Sequence, residues 1–597
     1  MDFLTAADAE QLGGECYRLI IALVRLNKRP DGTVPSCEEV RGLIEERVQR
    51  SPRFRQFPYQ PPGYSGLPAW ADCQDFDIDD HLVRADTDGP ADRHQVEELL
   101  AEWMTTPIDE TKPLWRIQYV ETEDGAALLW KSGHAIADGV GTLALLAMLL
   151  FDVTGEPVRE EAARWEPAPL PTAAELKEAA RAAGAEEEEV VVETPLQKAM
   201  AVFSSPASIK EAAAGTAQMS RYLLRKARTD FAPSPLWAGN GPPVDLRTLE
   251  YPLERLKLLG RGLGTGATMN DVILGMTGGG LRRWCLENGH PLDELAVRVP
   301  AATGRGSSTG TIAPMIVPVP LAEEDPVRRV RMIRERTEAV KSSGELEVAV
   351  QAMALAREVP GPVGERLNNL IFGKGQANVE IHNVPGPSLE LYVLGAPIAS
   401  LHSFSLPRPQ VAIQVNLVSI GGLVTIGLAA DTAVVGSLDP FVRGMAETEE
   451  ALARGVANLD LVRRVPIFAP LEDELQEDLA ARMASREVEA GEVLVKQGDA
   501  ADDFFLIVQG SFDTEVDGES VRQMGPGDSF GEIGLLRDTE RTATVTAEAD
   551  GVVMALSRED FLNAVAADPA SMVVADAIIN TRLGDLGRYR AFSEPPG

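Results

Sequence analysis

Apolar positions return along this chain with two different periods. Between Thr268 and Asn288, the residues Val272, Ile273, Met276, Leu281 and Trp284 recur at helical spacing, which predicts a helix. Val411 to Val418 and Leu423 to Leu428 alternate around Gly421-Gly422, which predicts a two-residue hairpin. Trp115 to Val120 and Ala127 to Lys131 read as strands, and the uninterrupted apolar run from Leu143 to Phe151 is too short to span a bilayer. Two stretches break the pattern. From Glu156 to Pro195, Ala, Glu and Pro dominate, with a charge run at Glu186 to Glu189; this predicts a solvated helical linker. After Leu459, a Pro-bounded turn and an amphipathic helix lead into short strands separated by glycine turns, as far as about Leu556. The expected organisation is two α/β lobes, residues 1–153 and 196–458, joined by the acidic linker 154–195. A β-rich module at 459–567 and a helical tail at 568–597 follow.

Composition narrows the class. Of 597 residues, 44% are hydrophobic and 25% charged, the balance of a soluble globular protein. Lys plus Arg number 56 against 91 Asp plus Glu, so the net charge is −35. A field of that sign opposes non-specific nucleic-acid binding and adhesion to anionic membrane through a basic surface. The opening MDFLTAADAEQLGGE has no basic region followed by an apolar one, so no secretory signal and a cytoplasmic location are expected. Cys16, Cys37, Cys73 and Cys285 form no CxxC, which excludes a dense disulfide frame and a cysteine zinc site.

Candidate chemistry begins where a strand gives way to a helix. LLWKSGHAIADGVGTLALLAMLLF carries His134-x-x-x-Asp138-Gly139. A neutral imidazole on such a turn can take a proton from a hydroxyl and return it to a leaving group. Asp138 can orient the turn, and Gly139 lets the backbone pass close to a neighbour. The same pattern also suits a loop histidine followed by an Asp that caps the next helix.

The surroundings of this motif resemble the wax ester synthase/diacylglycerol acyltransferase family, of the condensation-domain superfamily with its two-lobed chloramphenicol-acetyltransferase-like fold. The similar segments are FDIDDHLVR (Phe76 to Arg84), PIDETKPLW (Pro107 to Trp115), MNDVILGMTGGGLRRWCLENG (Met269 to Gly289), and NVPGP (Asn383 to Pro387) followed by LYVLGAPI and VTIGLAAD. They run in the family's order over about residues 1 to 455. The resemblance implies that His134 is the base that deprotonates an alcohol, which then attacks the thioester carbonyl of an acyl-CoA. It implies that Asp138 and Gly139 shape the loop, and that Asn270 and Asp271 support the site. The family's motif begins with two histidines; the first is Gly133 here. His382, at the end of a predicted strand before NVPGP, either projects into the cleft in its place or is a partly exposed loop histidine. His81, His94, His290 and His402 read as structural, and no His/Asp/Glu spacing supports a metal. For the phosphates of CoA, Arg328, Arg329, Arg331, Arg334, Arg336 and Lys341 cluster on one predicted helix, with Arg255 and Lys257 as rivals. An ordinary solvated face interleaved with Glu335 and Glu338 fits that helix equally.

A second candidate lies in GPGDSFGEIGLLRDTERTATVTA, Gly525 to Ala547. A short apolar helix is expected just after Gly531-Glu532, and a helix start favours anions. Arg541 can grip a phosphate in two-pronged fashion. Glu532, at the same end, would be repelled by phosphate unless it accepted a hydrogen bond from the ligand, as from a ribose hydroxyl. This stretch, with the upstream AGEVLVKQGDAADDFFLIVQGSF, resembles the cyclic nucleotide-binding domain family over about residues 460 to 567. The resemblance implies that Glu532 binds the ribose 2′-hydroxyl, that Arg541 binds the cyclic phosphate, and that Gly531, Ile533 and Gly534 contribute backbone. It puts Thr542 where purine preference is tuned, and Glu540 where the family usually has Pro. Arg588 and Tyr589 are lid candidates in the tail.

Together these resemblances imply an acyl-CoA-dependent O-acyltransferase making triacylglycerol or wax esters from a lipid alcohol, without a catalytic cofactor, regulated by cAMP or cGMP through a hinge near Asn458 to Val465. Peripheral contact with a membrane or lipid droplet is compatible with it. The alternative is a non-catalytic nucleotide sensor whose acyltransferase-like lobes bind a lipid or a partner protein.

Overall fold

The computed structural model describes residues 1–9, 11–13, 18–137, 139–156, 158, 165–189, 234–237, 243–263, 266–302, 312–358, 377–407 and 411–593. Two compact units divide the chain: Met1–Arg255 with Trp284–Val319 and Arg336–Val442, and Leu256–Arg283 with Pro320–Glu335 and Arg443–Gly597.

The first unit holds two six-stranded sheets. One runs in the order Tyr392–Val393, Ala396–Phe404, Leu19–Asn27, Gly125–Gly133, Trp115–Thr122, Leu82–Arg84. Its strand Gly125–Gly133 is buried along its whole length. Ala126, Leu128 and Trp130 enter one apolar cluster, while Ala127 and Leu129 enter another on the opposite face. A strand covered on both faces loses the apolar–polar alternation of a half-exposed one, which is why it reads as a continuous apolar run. The second sheet runs Val244–Pro252, Leu423–Asp431, Ile413–Ile420, Val379–Pro385, Glu294–Ala302, Ile312–Pro320. The expected hairpin is present: Gly421 and Gly422 turn it at φ of 56° and 83°, a region that favours glycine. The lobes do not separate as the sequence division suggests. Ala396–Phe404 belongs to the second half of the chain, yet it pairs with Leu19–Asn27, placing Phe404 opposite Ile21 and His402 opposite Leu23.

The expected linker helix forms at Ala173–Glu189, but the segment leading to it is not simply solvated. The amide of Ala168 donates to Asp72 at 3.0 Å, Gln74 donates to the Ala168 carbonyl at 2.7 Å, and Trp165 meets Phe76 edge-on under the guanidinium of Arg55. Leu176 is fully buried. Residues 190–195 lie outside the described residues.

In the second unit, two four-stranded sheets form a β-roll from Ala484 to Ser557, flanked by the helices Asp473–Arg482, Arg558–Ala567 and Pro569–Ser593. The expected hinge is not a break in structure. A single helix, Asp439–Arg464, runs through it. Leu459 and Val462, at i and i+3, carry its apolar stripe, and Val465 just past its end joins them in a core with Phe468, Leu479, Phe504 and Phe561. Burial of that stripe is what fixes the segment as helix. Among the described residues no single helix is long and apolar enough to cross a membrane.

Candidate functional sites

His134 stands one residue beyond the strand Gly125–Gly133 and is exposed, between buried Gly133 and buried Ala135. The main chain around it is tied down: the Gly133 amide donates to the Leu114 carbonyl at 3.0 Å, and the His134 amide to the Arg18 carbonyl at 2.9 Å. A side chain added at 133 would point into the first sheet's packing, its Cβ 3.4 Å from Leu114, beside a gap of only about 10 Å³. A side chain there would thus meet Leu114 first. Asp138 lies outside the described residues. Gly139 opens the apolar helix Gly139–Leu149, and a Cβ on it would come within 3.2 Å of Val384.

The segments singled out in the sequence fold onto each other. His81 of FDIDDHLVR is buried between the rings of Phe76 and Trp115, with centroids at 5.1 and 4.5 Å. Its Nδ1 meets the Trp115 carbonyl at 2.7 Å. Trp115 stacks in turn on Trp130, on the strand that leads to His134, and donates its indole N–H to the Phe54 carbonyl. The stack therefore holds the His134 strand from behind, and burial keeps the His81 pKa below its ordinary value. NVPGP meets the helix after His134: Gly386 donates to the Ser419 carbonyl at 2.8 Å, and a Cβ on it would strike that oxygen and touch Leu143.

His382 lies within the strand Val379–Pro385, its side chain 44% exposed and its Nε2 3.8 Å from Glu380. Glu380 is buried and held by Arg298 at 2.6 Å and Gln414 at 3.1 Å. With period two, His382 shares a face with Glu380 and with Val384, the neighbour of Gly139. His402 is fully buried, and burial with Arg25 and Arg93 nearby pushes its pKa down to about 3, so it stays neutral. Asn270 and Asp271 open the helix Met269–Glu287. Asp271 is buried and accepts from the amide and hydroxyl of Thr268 at 2.8 and 2.7 Å, which is helix capping. Asn270 is exposed.

The arginine-rich helix is real, Pro326–Ser342, but its cations are engaged. Arg331 pairs with Glu477 and Glu474, and Arg328 with Asp478, all three acids on the helix Asp473–Arg482. Arg329 is 2% exposed and donates to the carbonyls of Glu323 and Glu324. Arg334 faces Asp271 at 4.0 Å, and Arg336 binds Glu294. Neither a CoA-phosphate patch nor a plain solvated face describes this helix; most of its arginines hold neighbouring elements.

The second candidate site is a cavity of about 340 Å³ in the β-roll, within the range of small-molecule pockets. Gly531, Glu532, Ile533, Gly534, Arg541 and Thr542 all line it. Glu532 opens the helix Glu532–Arg537, next to Gly531 at φ 97°. A Cβ at 531 would come 2.7 Å from the Arg541 guanidinium, and one at 534 would strike Ala501, so both positions require glycine. Arg541 is buried and donates to the carbonyls of Gly531 at 3.1 Å and Asp503 at 2.8 Å. Burial lowers its pKa while Asp502, Asp503 and Glu532 raise it. A buried guanidinium bonded to carbonyls, at a cavity wall, is a site for an anion. The carboxylate of Glu532 is 1% exposed; its Oε1 accepts from Arg582 at 2.6 Å, and its Oε2 is buried without a partner among the described residues. That oxygen is an acceptor placed for a hydroxyl, so these residues fit a ribose phosphate. Arg582, on the last helix, also lines the cavity, and sequence reasoning missed it. It sits 50 residues from Glu532, and nothing local to it signals a ligand. The side chains of Arg588 and Tyr589 lie outside the described residues.

Comparison with known proteins gives family matches in both regions. Residues 8–273 match the wax ester synthase/diacylglycerol acyltransferase catalytic domain, and residues 310–453 the C-terminal domain of the same family. Residues 485–568 match the cyclic nucleotide-binding domain. A Mycobacterium tuberculosis protein named “Probable diacyglycerol O-acyltransferase tgs1” is 27% identical over 471 residues, 76% of this chain and 96% of its own. A Mycobacterium bovis protein named as a diacylglycerol O-acyltransferase matches to the same extent. The solved wax ester synthase/diacylglycerol acyltransferase from Marinobacter aquaeolei VT8 aligns with a TM-score of 0.53 at 18% identity, covering 76% of this chain and 100% of that one, which shows the fold. The chain thus has the α/β fold of that solved enzyme, with a β-roll appended. It belongs to the wax ester synthase/diacylglycerol acyltransferase family and carries a cyclic nucleotide-binding domain.

Proposed function

We propose that this protein is an acyl-CoA-dependent O-acyltransferase whose rate is set by a cyclic nucleotide. The observation that carries the first half is His134, exposed on a turn whose main chain is fixed by Leu114 and Arg18. His134 takes the hydroxyl proton of a lipid alcohol, diacylglycerol or a long-chain alcohol. The alcohol oxygen attacks the thioester carbonyl, the tetrahedral intermediate collapses, the C–S bond breaks, and CoA leaves as the thiol. The product is a triacylglycerol or a wax ester. Asp138 and Gly139 shape the turn, while Asn270 and Asp271 support the fold through the helix start. The lipid acceptor is drawn from a membrane or droplet surface met peripherally; Val140, 54% exposed beside Gly139, offers apolar surface there.

The regulatory half is supported by the composition of the second unit. It joins the β-roll to Leu256–Arg283, which bears Asn270 and Asp271, and to Pro320–Glu335, which bears Arg328 and Arg331. A nucleotide that biases the β-roll therefore acts on a unit that includes acyltransferase-domain helices. The test is to incubate the intact protein with labelled palmitoyl-CoA and a panel of alcohols while titrating cAMP and cGMP. Ester formation that changes with nucleotide is the expected result. No ester with any alcohol would leave a non-catalytic sensor, and ester formation indifferent to both nucleotides would leave an unregulated enzyme.

A further inference from the structure

The helix Gly139–Leu149, which follows the His134 turn, packs on the second sheet through an apolar wall: Leu145, Leu146 and Leu149 share one cluster with Val418 and Ile420, and Val384 lies against it. Two polar atoms in this region are left unanswered. Thr142, in the first turn of the helix, is 3% exposed, and its hydroxyl is buried without a hydrogen-bond partner among the described residues. It lines a gap of about 20 Å³ with Gly139, Leu143, Val384, Leu401 and Val418, room for one water-sized group and not for a chain. Asn416 stands two residues before Val418, on the same face of its strand, and is equally buried. Its Oδ1 accepts from Ser405 at 3.1 Å, while its Nδ2 is buried and unpartnered among the described residues. His382, the register partner of Asn416 on Val379–Pro385, is half-exposed, so the row of polar positions reaches the surface there. A buried hydroxyl or amide left without a partner is costly, and folding alone gives no reason to keep it.

We propose that Thr142 and Asn416 donate hydrogen bonds to the ester carbonyls of the acceptor lipid, so that a diacylglycerol is taken in preference to a long-chain alcohol. The inference rests on the reading of this protein as an O-acyltransferase with His134 as base. Both unanswered groups can donate, one an O–H and the other an N–H, and an ester carbonyl is an acceptor only. A diacylglycerol carries two such carbonyls beside the hydroxyl that reacts. A long-chain alcohol carries the hydroxyl alone and leaves both donors unanswered. A site built to bond a polar group rejects the analogue that lacks it far more sharply than an apolar pocket rejects a change of length. The apolar lining around the two donors suits the chains of either acceptor, so the donors and not the wall make the distinction. The small size of the gap beside Thr142 agrees with this, because it admits a carbonyl oxygen and excludes a chain.

The experiment measures initial rates of acyl transfer by the full-length chain from palmitoyl-CoA to three acceptors in the same mixed micelles: dipalmitoylglycerol, its dihexadecyl ether analogue, which has the chains and the hydroxyl without the carbonyls, and hexadecanol. Wild type acylates dipalmitoylglycerol about tenfold or more faster than the ether analogue, the scale of two hydrogen bonds, and faster than hexadecanol. Thr142→Val, which keeps the shape of the side chain, and Asn416→Leu each shrink the preference for ester over ether by about threefold to tenfold, the scale of one hydrogen bond. Thr142→Ser, which retains the hydroxyl, keeps the wild-type preference. Equal rates for the ester and ether acceptors in wild type overturn the inference without any variant. So does an unchanged preference in both Thr142→Val and Asn416→Leu, which would leave a trapped water as the partner of these groups, and so does an equal loss on all three acceptors. No ester from wild type with any of the three overturns the acyltransferase reading itself and this inference with it.

Discussion

At the His134 turn, the parts come from across the chain. Its amides are tied to Arg18 and Leu114, the strand behind it is stacked on Trp115 and His81, and the helix after it packs on Val384 and Gly386. At the cavity in the β-roll, Gly531, Glu532, Ile533, Gly534, Arg541 and Thr542 fall within one short stretch; Arg582 is the distant member singled out here. The contrast teaches where a site stores its specificity. The first is a single exposed histidine, the proposed base, whose placement depends on long-range packing. The second draws most of its polar groups from one short stretch of sequence, held in place by Ala501, Asp503 and Arg582 from elsewhere in the chain. Substitutions at the first should therefore act on chemistry through one residue, and substitutions at the second on binding through several.

The largest effect is expected at His134. His134→Ala should lower acyl transfer by about a hundredfold or more, the usual scale for a lost general base. Turnover equal to wild type in a variant with an unchanged thermal melt would assign the proton transfer elsewhere. His382, which shares a strand face with Val384, is then the group to substitute next.

Arg541→Ala comes second. Removing a buried cation from its anion should cost on the order of 2–5 kcal/mol of nucleotide binding. Acyl transfer measured without nucleotide should stay at the wild-type level, because the change lies in the other unit from His134. Titration calorimetry with cAMP and cGMP, beside a transfer assay, reads both quantities. A variant that binds normally would dissolve the contrast between a binding loop and a reactive side chain.

The smallest effect concerns coupling between the two regions. Arg331 donates from Nε to Glu477 at 3.1 Å, joining Pro326–Ser342 to Asp473–Arg482. Arg331→Glu should shrink the change in acyl-transfer rate that nucleotide produces, by up to the 1–3 kcal/mol typical of coupling between sites. Arg331→Glu combined with Glu477→Arg should restore part of it, because the pair is re-formed with its charges exchanged. If the single variant responds to nucleotide as wild type does, this ion pair is only scaffolding.

How much of this could be read beforehand follows from the range of the forces. The helix Met269–Glu287, the hairpin at Gly421-Gly422 and the cassette from Gly531 to Thr542 were legible because period, turn chemistry and charge act over a few residues. The position of His134 after a strand was legible for the same reason. The surroundings of Gly133 were not, because Leu114, which an added Cβ would meet, is brought near by the pairing of Trp115–Thr122 with Gly125–Gly133. The arginine helix misled for a related reason. Its cations look available in sequence, yet Glu474, Glu477 and Asp478, more than 140 residues on, meet two of them.

By itself, then, the sequence determined the elements, the two motifs and the acidic character of this protein, since those depend on neighbours in the chain. Only the tertiary structure decided three further things: that Ala396–Phe404 completes the first sheet, that Asp439–Arg464 is one helix through the expected hinge, and that Arg582 stands behind Glu532. Each of those is a pairing of surfaces far apart in sequence. Its free energy comes from burying apolar area or neutralising a buried charge, and neither quantity exists until the chain has folded.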